Sequence, residues 1–267
     1  MISFLSLSSG SSGNCYFFTN GKTTFLIDAG VGPRTCAKKL SEHGFSLSDV
    51  DFILVTHDHT DHIKALGIIS SRYSKPVYTT APLKEALMRN ICTVGKLKGN
   101  IHTLEPDVTQ DICGVQVTAF RVPHDATDAV GYSILFSGRN ITIVTDCGKF
   151  SDDILGYAVK ADTLILESNY DRKMLEEGSY TPLLKYRIRS GAGHLSNSES
   201  AAALKSIYSS RKGLMQQVFL CHLSDNNNTP ALALESARKA LDEAGAGKDE
   251  VFLINLPRGK ASPLYSL

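Results

Sequence analysis

Four apolar runs in this chain stop at residues able to bind a metal, and that repeated ending constrains the fold more than any other feature. Residues 52–55 (Phe-Ile-Leu-Val) run into Thr56-His57-Asp58-His59-Thr60-Asp61-His62, residues 115–123 into His124, residues 141–145 into Asp146, and residues 218–221 into His222. Runs of this length and apolarity read as strands, so a fold is required that lines up their ends along one sheet edge. Three imidazoles and a carboxylate other than Asp58 stand within positions 57–62, which is metal-site spacing. Alternate residues at a strand end face the same way. That aims His57 and His59 at one ion, while Asp61 and His62, further round the turn, point toward a second. Imidazole with carboxylate suits zinc, manganese or iron, and two such ions about 3.5–4 Å apart make a hydrolytic clamp. A solvated, His-rich loop is the other reading of the hexapeptide.

At 267 residues the chain can bury a full core, and one domain spanning 1–267 is the economical expectation. Hydrophobic content of 42% and charged content of 21% exclude disordered and fibrous classes. The net charge of +1 offers no chain-wide field to nucleic acid or an acidic membrane, so binding of a polyanion needs a local patch. The six cysteines lack CxxC spacing and read as reduced, mostly buried thiols. Cys147 and Cys221 adjoin Asp146 and His222, but strand alternation turns neighbours to opposite faces, which favours core packing over thiolate ligation. The first seven residues carry no basic segment, and no run of 18 apolar residues occurs. A cytoplasmic protein without a membrane span is expected.

Strands are expected at 2–7, 15–19, 23–27, 77–80, 115–122, 131–136, 141–145, 164–167, 218–221 and 250–254. Helices are expected from Pro33 to before Gly44, at 63–72 and 83–90, between the strands 141–145 and 164–167, and at 198–211 and 230–244. Asn20-Gly21 is a hairpin signal, and a second hairpin turns around 137–140. Each half opens with antiparallel strands and closes with strand–helix alternation, so two mixed sheets packed face to face with helices outside both are expected. Lys185, Arg187 and Arg189 alternate with Tyr186, Ile188 and Ser190. An extended segment there presents three cations on one side, where a phosphate backbone can lie; a plain solvated face is the alternative. Residues 8–14, with Gly10 and Gly13, can offer backbone donors to a terminal phosphate or form a flexible loop.

His57-Asp58-His59-Thr60-Asp61-His62 resembles the signature of the metallo-β-lactamase-fold hydrolases. The resemblance implies an α/β fold, the αββα four-layer sandwich of two mixed sheets flanked by helices. It implies further that His57, His59 and His124 hold one divalent ion, that Asp61, His62 and His222 hold another, and that Asp146 bridges both. Asp28, in Phe25-Leu26-Ile27-Asp28-Ala29-Gly30, matches the family's aspartate behind the site, orienting a ligand without touching metal. Phosphodiesterases of this fold, such as the ribonuclease Z group, carry a histidine like His194 that protonates the departing oxygen. Ser9-Gly10-Ser11-Ser12-Gly13-Asn14, Glu167-Ser168-Asn169-Tyr170-Asp171, Gly193-His194-Leu195-Ser196-Asn197 and Cys221-His222-Leu223-Ser224-Asp225-Asn226-Asn227 look like the YycJ/WalJ group of bacterial cytoplasmic exonucleases acting on DNA, over essentially the whole chain.

The function this implies is a dinuclear phosphodiesterase, an exonuclease on DNA, with a metal-bound hydroxide oriented by Asp61 and with His194 as general acid. The ions are Mn2+ or Zn2+, with Fe2+ a third option. Lys185, Arg187, Arg189, Ser196 and Asn197 are the candidates for substrate contact. A glyoxalase II-like thioesterase shares the hexapeptide but needs a helical domain longer than the residues after His222. An RNA-processing nuclease of the same fold, and a metal-bound scaffold without catalysis, are the remaining alternatives.

Overall fold

The computed structural model describes residues 1–211 and 213–267, and its strands fall where apolar side chains run on. One sheet has the order β14 (Tyr265–Ser266), β1 (Ser3–Ser8), β2 (Cys15–Thr19), β3 (Thr24–Ile27), β4 (Phe52–Leu54), β5 (Val77–Thr80) and β6 (Ile101–Leu104). Pairing is antiparallel from β14 to β3 and parallel from β3 to β6. The other sheet has the order β13 (Phe252–Asn255), β12 (Gln217–Cys221), β11 (Thr163–Glu167), β10 (Arg139–Val144), β9 (Val130–Phe136), β8 (Val115–Arg121) and β7 (Thr109–Ile112). Strands β10 to β13 pair in parallel, and the β9–β10 and β7–β8 pairs are antiparallel. Both sheets are mixed and both are flanked by helices, the class expected of the sequence.

The chain forms two compact units, residues 1–119 with 126–130 and 257–267, and residues 120–125 with 131–256. In the first, β2, β3 and β4 are buried along their whole length, as strands covered on both faces must be. One face, with Leu26, Ile53, Val55 and Val77, shares a core with Cys36 and Leu40 of α1 (Pro33–Ser41), Leu66 and Ile69 of α3 (Leu66–Tyr73) and Leu83 and Leu87 of α4 (Ala81–Arg89). The opposite face carries an aromatic ladder with one rung per strand. Phe4 stacks on Phe18 at 4.8 Å, Phe18 on Phe25 at 5.0 Å and Phe25 on Phe52 at 5.1 Å between ring centroids. Tyr265 extends the ladder at one end, and Tyr78 and His102 at the other. Strand register sets these contacts, because Phe4 is paired with Phe18, Phe18 with Phe25 and Phe25 with Phe52. Each such pair contributes about 0.5–1.5 kcal/mol beyond the burial of its area.

In the second unit, β9 and β10 form a hairpin whose turn places Ser137 and Gly138 at φ 47° and 82°, the left-handed pair that matches strand twist. Helices α5 (Asp152–Ala158), α6 (Arg172–Glu177), α7 (Pro182–Arg189), α8 (Asn197–Ser210) and α9 (Pro230–Glu243) belong to this unit. Ser196 and Glu199 close a capping box at the start of α8. That satisfies amide groups the first turn leaves without helical partners.

Two expectations fail. The segment 185–190 is not extended, since Lys185, Arg187 and Arg189 lie on α7. Thr181 caps that helix by accepting from the Leu184 amide, Pro182 occupies its first turn, and Leu184 and Ile188, four residues apart, pack on Tyr170 and Leu175. Helical spacing therefore sends Lys185 and Arg189 to one side and Arg187 to another. The helix expected at 63–72 is divided into α2 (Thr60–Ile63) and α3 around Ala65, whose amide donates to the Ala29 carbonyl at 2.8 Å. Strands β6, β7 and β14 and helices α6 and α7 arise where none was expected.

Truncating a middle rung tests the ladder. Phe25→Ala should destabilise the protein by about 3–5 kcal/mol in denaturant unfolding, whereas Tyr265→Ala, at a half-buried end, should have a much smaller effect.

Candidate metal-binding and proton-donor residues

In the first unit β3 and β4 are parallel neighbours, with Ile27 opposite Leu54, so Asp28 and residues 55–57 leave the sheet side by side. Asp28 is fully buried. Its Oδ1 accepts from the Thr56 amide at 2.8 Å, and its Oδ2 accepts from Thr56 Oγ1 at 2.8 Å and from His62 Nδ1 at 2.7 Å. A carboxylate on Nδ1 fixes the proton there and puts the His62 lone pair on Nε2. Asp28 thus holds both the Thr56 hydroxyl and the His62 ring in place. His57 and His62 have ring centroids 4.0 Å apart, His59 stands 4.8 Å from His57, and Asp61 Oδ2 lies 3.6 Å from His62 Nε2. The hexapeptide is thus gathered into one cluster within this unit.

The loop before β2 reaches the same cluster. Asn14 is fully buried, and its Nδ2 lies 3.2 Å from Asp61 Oδ2 and 2.8 Å from His62 Nε2, while its Oδ1 accepts from the Gly10 amide at 2.8 Å. Its backbone amide donates to the Asp61 carbonyl at 2.7 Å. Gly30 packs against that same carbonyl, and a Cβ there would lie 1.5 Å from the Asp61 oxygen. Asn14 thus holds Asp61 and His62 from the 8–14 loop, a contact that the loop's composition does not announce.

In the second unit the ends of β10, β11 and β12 stand in adjacent parallel register, Val144 by Leu166 and Glu167 by Cys221. They deliver Asp146, Glu167 and His222 to one edge, the edge where open α/β sheets carry their ligands. Asp146, Glu167, His194 and His222 offer ligand-type atoms within 4.8 Å of one another. Glu167, fully buried, organises them. Its Oε1 accepts from His194 Nδ1 at 2.7 Å and from His222 Nδ1 at 2.9 Å, and its Oε2 accepts from the amides of Cys147 at 2.9 Å and Leu195 at 3.0 Å. His124 donates from Nδ1 to the Gly193 carbonyl at 2.9 Å and turns Nε2 to within 3.7 Å of Asp146 Oδ1. Burial lowers the His124 pKa against the pull of Asp146, which keeps the imidazole in the neutral form that a metal needs.

Burial also opposes a charge on His194, but the Glu167 carboxylate, with Asp146 beside it, outweighs burial and raises its pKa above 6.5. The carboxylate on Nδ1 thus favours the imidazolium form of His194. Glu167 was not among the expected site residues, although residues 164–166 are a fifth apolar run stopping at a metal-competent side chain. Cys147 and Cys221 are buried, and burial with the Glu167 carboxylate drives the Cys147 thiol far up. Cys147 stays protonated and packs as expected.

The candidates for substrate contact fare differently. Ser196 is buried as the α8 cap, and buried Asn197 bonds to Ser168 and Asn228. Lys185 donates to the Glu176 carbonyl, Arg187 pairs with Asp125, and Arg189 pairs with Glu176, all at the exposed surface.

The donor set fits divalent cations. His62, His124 and His222 each have Nδ1 tied to a carboxylate or carbonyl oxygen, which is how metal-ligating histidines are held.

Residues 23–215 match the family described as the beta-lactamase superfamily domain. The exodeoxyribonuclease YycJ of Bacillus anthracis is 33% identical over 258 residues, 94% of this chain and 94% of that protein. Among solved structures, the metallo-beta-lactamase fold protein YhfI of Bacillus subtilis matches with a TM-score of 0.72 at 16% identity, covering 98% of each chain. Zn2+-bound PqqB of Methylobacterium extorquens matches with 0.71 at 17%, covering 97% of this chain and 99% of that one. At these identities the structural likeness shows the fold, and that fold is the metallo-β-lactamase one.

Two substitutions probe the buried carboxylates. Asp28→Asn should weaken divalent-ion binding about 10–100-fold in calorimetric titration, the usual effect of losing an outer-shell partner. In chelator-treated protein, imidazole NMR should show His194 titrating above 6.5 and Glu167→Gln bringing it down. Because the folded pKa is the raised one, the His194 contribution to stability is full below the unfolded value and is lost as pH rises through the folded value.

Proposed function

This chain belongs to the β-lactamase superfamily, and on that footing we propose that it is a dinuclear metal-dependent phosphodiesterase that degrades DNA from an end. His57, His59 and His124 would hold one divalent ion and Asp61, His62 and His222 the other, with Asp146 between them. Residues 1–267 would then act as a single hydrolase domain. When bound, such ions supply Lewis acidity that brings a water toward ionisation near neutral pH and offsets charge on phosphoryl oxygens. Their imidazole and carboxylate ligands suit Mn2+ or Zn2+, with Fe2+ the third candidate.

The protein's own groups would perform the rest. Asp61 would orient the attacking water. His194 would give its Nε2 proton to the departing oxygen and recover it from solvent, while Glu167 stabilises the imidazolium through Nδ1. The exposed cations Lys185, Arg187 and Arg189 would meet the phosphate backbone; Ser196 and Asn197, committed to the α8 cap and to Asn228, would shape the site from within.

The observation that carries this reading is the Glu167–His194 pair at 2.7 Å among ligand-type side chains. A thioester releases a thiolate, whose conjugate acid has a pKa of about 8.5 and which leaves without a proton, whereas the alkoxide departing from a phosphodiester needs a general acid. Similarity to an exodeoxyribonuclease over 94% of both chains supports DNA as substrate. Among the described residues no helix is long and apolar enough to cross a membrane. A cytoplasmic site of action is part of the proposal because DNA is the proposed substrate.

Metal-loaded protein, given 5′-phosphorylated single- and double-stranded DNA, RNA and a thioester, should release nucleotides from DNA. His194→Ala should lower kcat about 10²–10⁴-fold with little change in KM, Asp61→Ala should abolish turnover, and chelation should do the same until Mn2+ or Zn2+ is restored. Nucleotide release indifferent to Asp61→Ala, or thioester turnover without nucleotide release, would overturn the proposal.

A further inference from the structure

Helix α7 leaves large apolar side chains in water beside the residue that donates the proton. Leu183 is 79% exposed and Tyr186 is 64% exposed, three positions apart and therefore on one side of the helix. Leu184 and Ile188 hold the other side against Tyr170 and Leu175. At 100° per residue, Tyr186 and Leu183 sit between Arg189 on one flank and Arg187 on the other. The helix carries no acidic residue, and its three cations, Lys185, Arg187 and Arg189, meet two acidic residues, Glu176 and Asp125, in a chain whose net charge is +1. The local excess complements a polyanion, and an aromatic face set among cations is how single strands are held without sequence preference.

The end of α7 is fastened to the chemistry. The His194 amide donates to the Ile188 carbonyl at 2.8 Å. Gly193 packs so closely on the last turn that a Cβ there would lie 2.2 Å from the Arg187 and Ile188 carbonyl oxygens. Its own carbonyl takes the His124 Nδ1 proton. A strand resting on the outer side of α7 is thus one short loop away from His194 and His124.

The geometry points to α7 as a platform for single-stranded nucleic acid, with a base stacked on Tyr186 against Leu183 and flanking phosphates on Arg187 and Arg189. The assignment rests on the nuclease reading above and names the surface that leads the strand in. It makes Tyr186 a contact to substrate remote from the bond being cut.

The chain contains no tryptophan, so Tyr186→Trp places a single reporter on the platform. In chelator, where nothing is cleaved, its fluorescence should be quenched by single-stranded DNA or RNA and far less by blunt duplex. In metal-loaded protein, Tyr186→Ala and Leu183→Ala should each raise KM for single-stranded substrate about tenfold, the scale of one lost stacked base. The hydrolysis of bis(p-nitrophenyl) phosphate, too small to reach α7, should be unchanged, and Tyr186→Trp should keep the wild-type KM. The DNA and RNA arms tell which nucleic acid the platform prefers. Absence of quenching together with an unaltered KM would overturn the platform while leaving phosphodiesterase activity intact. Loss of self-association in Tyr186→Ala, with quenching by the protein alone, would make the surface an interface between copies and overturn it too. A protein that quenches with single strands but cleaves no phosphodiester would keep the platform and refute the nuclease reading.

Discussion

Two buried carboxylates, Asp28 and Glu167, hold the candidate metal-binding side chains in both units, and they do so by the same device. Each ends a central parallel strand, is fully buried, and accepts both from backbone amides and from imidazole Nδ1 groups. A carboxylate without such donors would pay several kcal/mol for leaving water. The donors are fixed by neighbouring strand ends, so the charge is accommodated only where the sheet is already formed. The histidines inherit their tautomers from this arrangement. The geometry of the candidate metal-binding side chains is therefore set by strand register.

Two of the residues with left-handed backbone lie at these strand ends. Asp28 and His222 adopt φ of 60° and 53°, a region that side chains other than glycine enter rarely, and most often at functional sites. Each is the first residue beyond its strand, where the chain must turn sharply while aiming a side chain along the sheet edge. The hydrogen bonds to Asp28 and the Asn169 contact to the His222 carbonyl at 2.8 Å hold the unusual backbone in place.

Much of this was legible in the sequence because metal-site spacing and strand endings are local. The hexapeptide, Asp146, His124 and His222 announce themselves by following apolar runs, and most strands lie within two residues of their expected bounds. What stayed hidden depended on partners distant in sequence. Glu167 looked like an ordinary strand end until Leu195 and Cys147 were beside it. Asn14 belonged to a loop whose composition suggested phosphate or flexibility, and only the return of residues 61–62 gives it work. The charged alternation at 185–190 has period two on paper, yet the cap at Thr181 and Pro182 and the burial of Leu184 and Ile188 decide for helix. Strands β6 and β7 give little signal because each is four residues long with two of the four exposed.

The aromatic ladder has a consequence for folding. Its end rung, Tyr265 on β14, pairs with Phe4 on β1, so covering that edge of β1 brings together residues some 260 positions apart. Contacts so distant in sequence carry a large loop-closure cost, and until β14 docks, the outer edge of β1 offers unpaired backbone groups to a wrong neighbour.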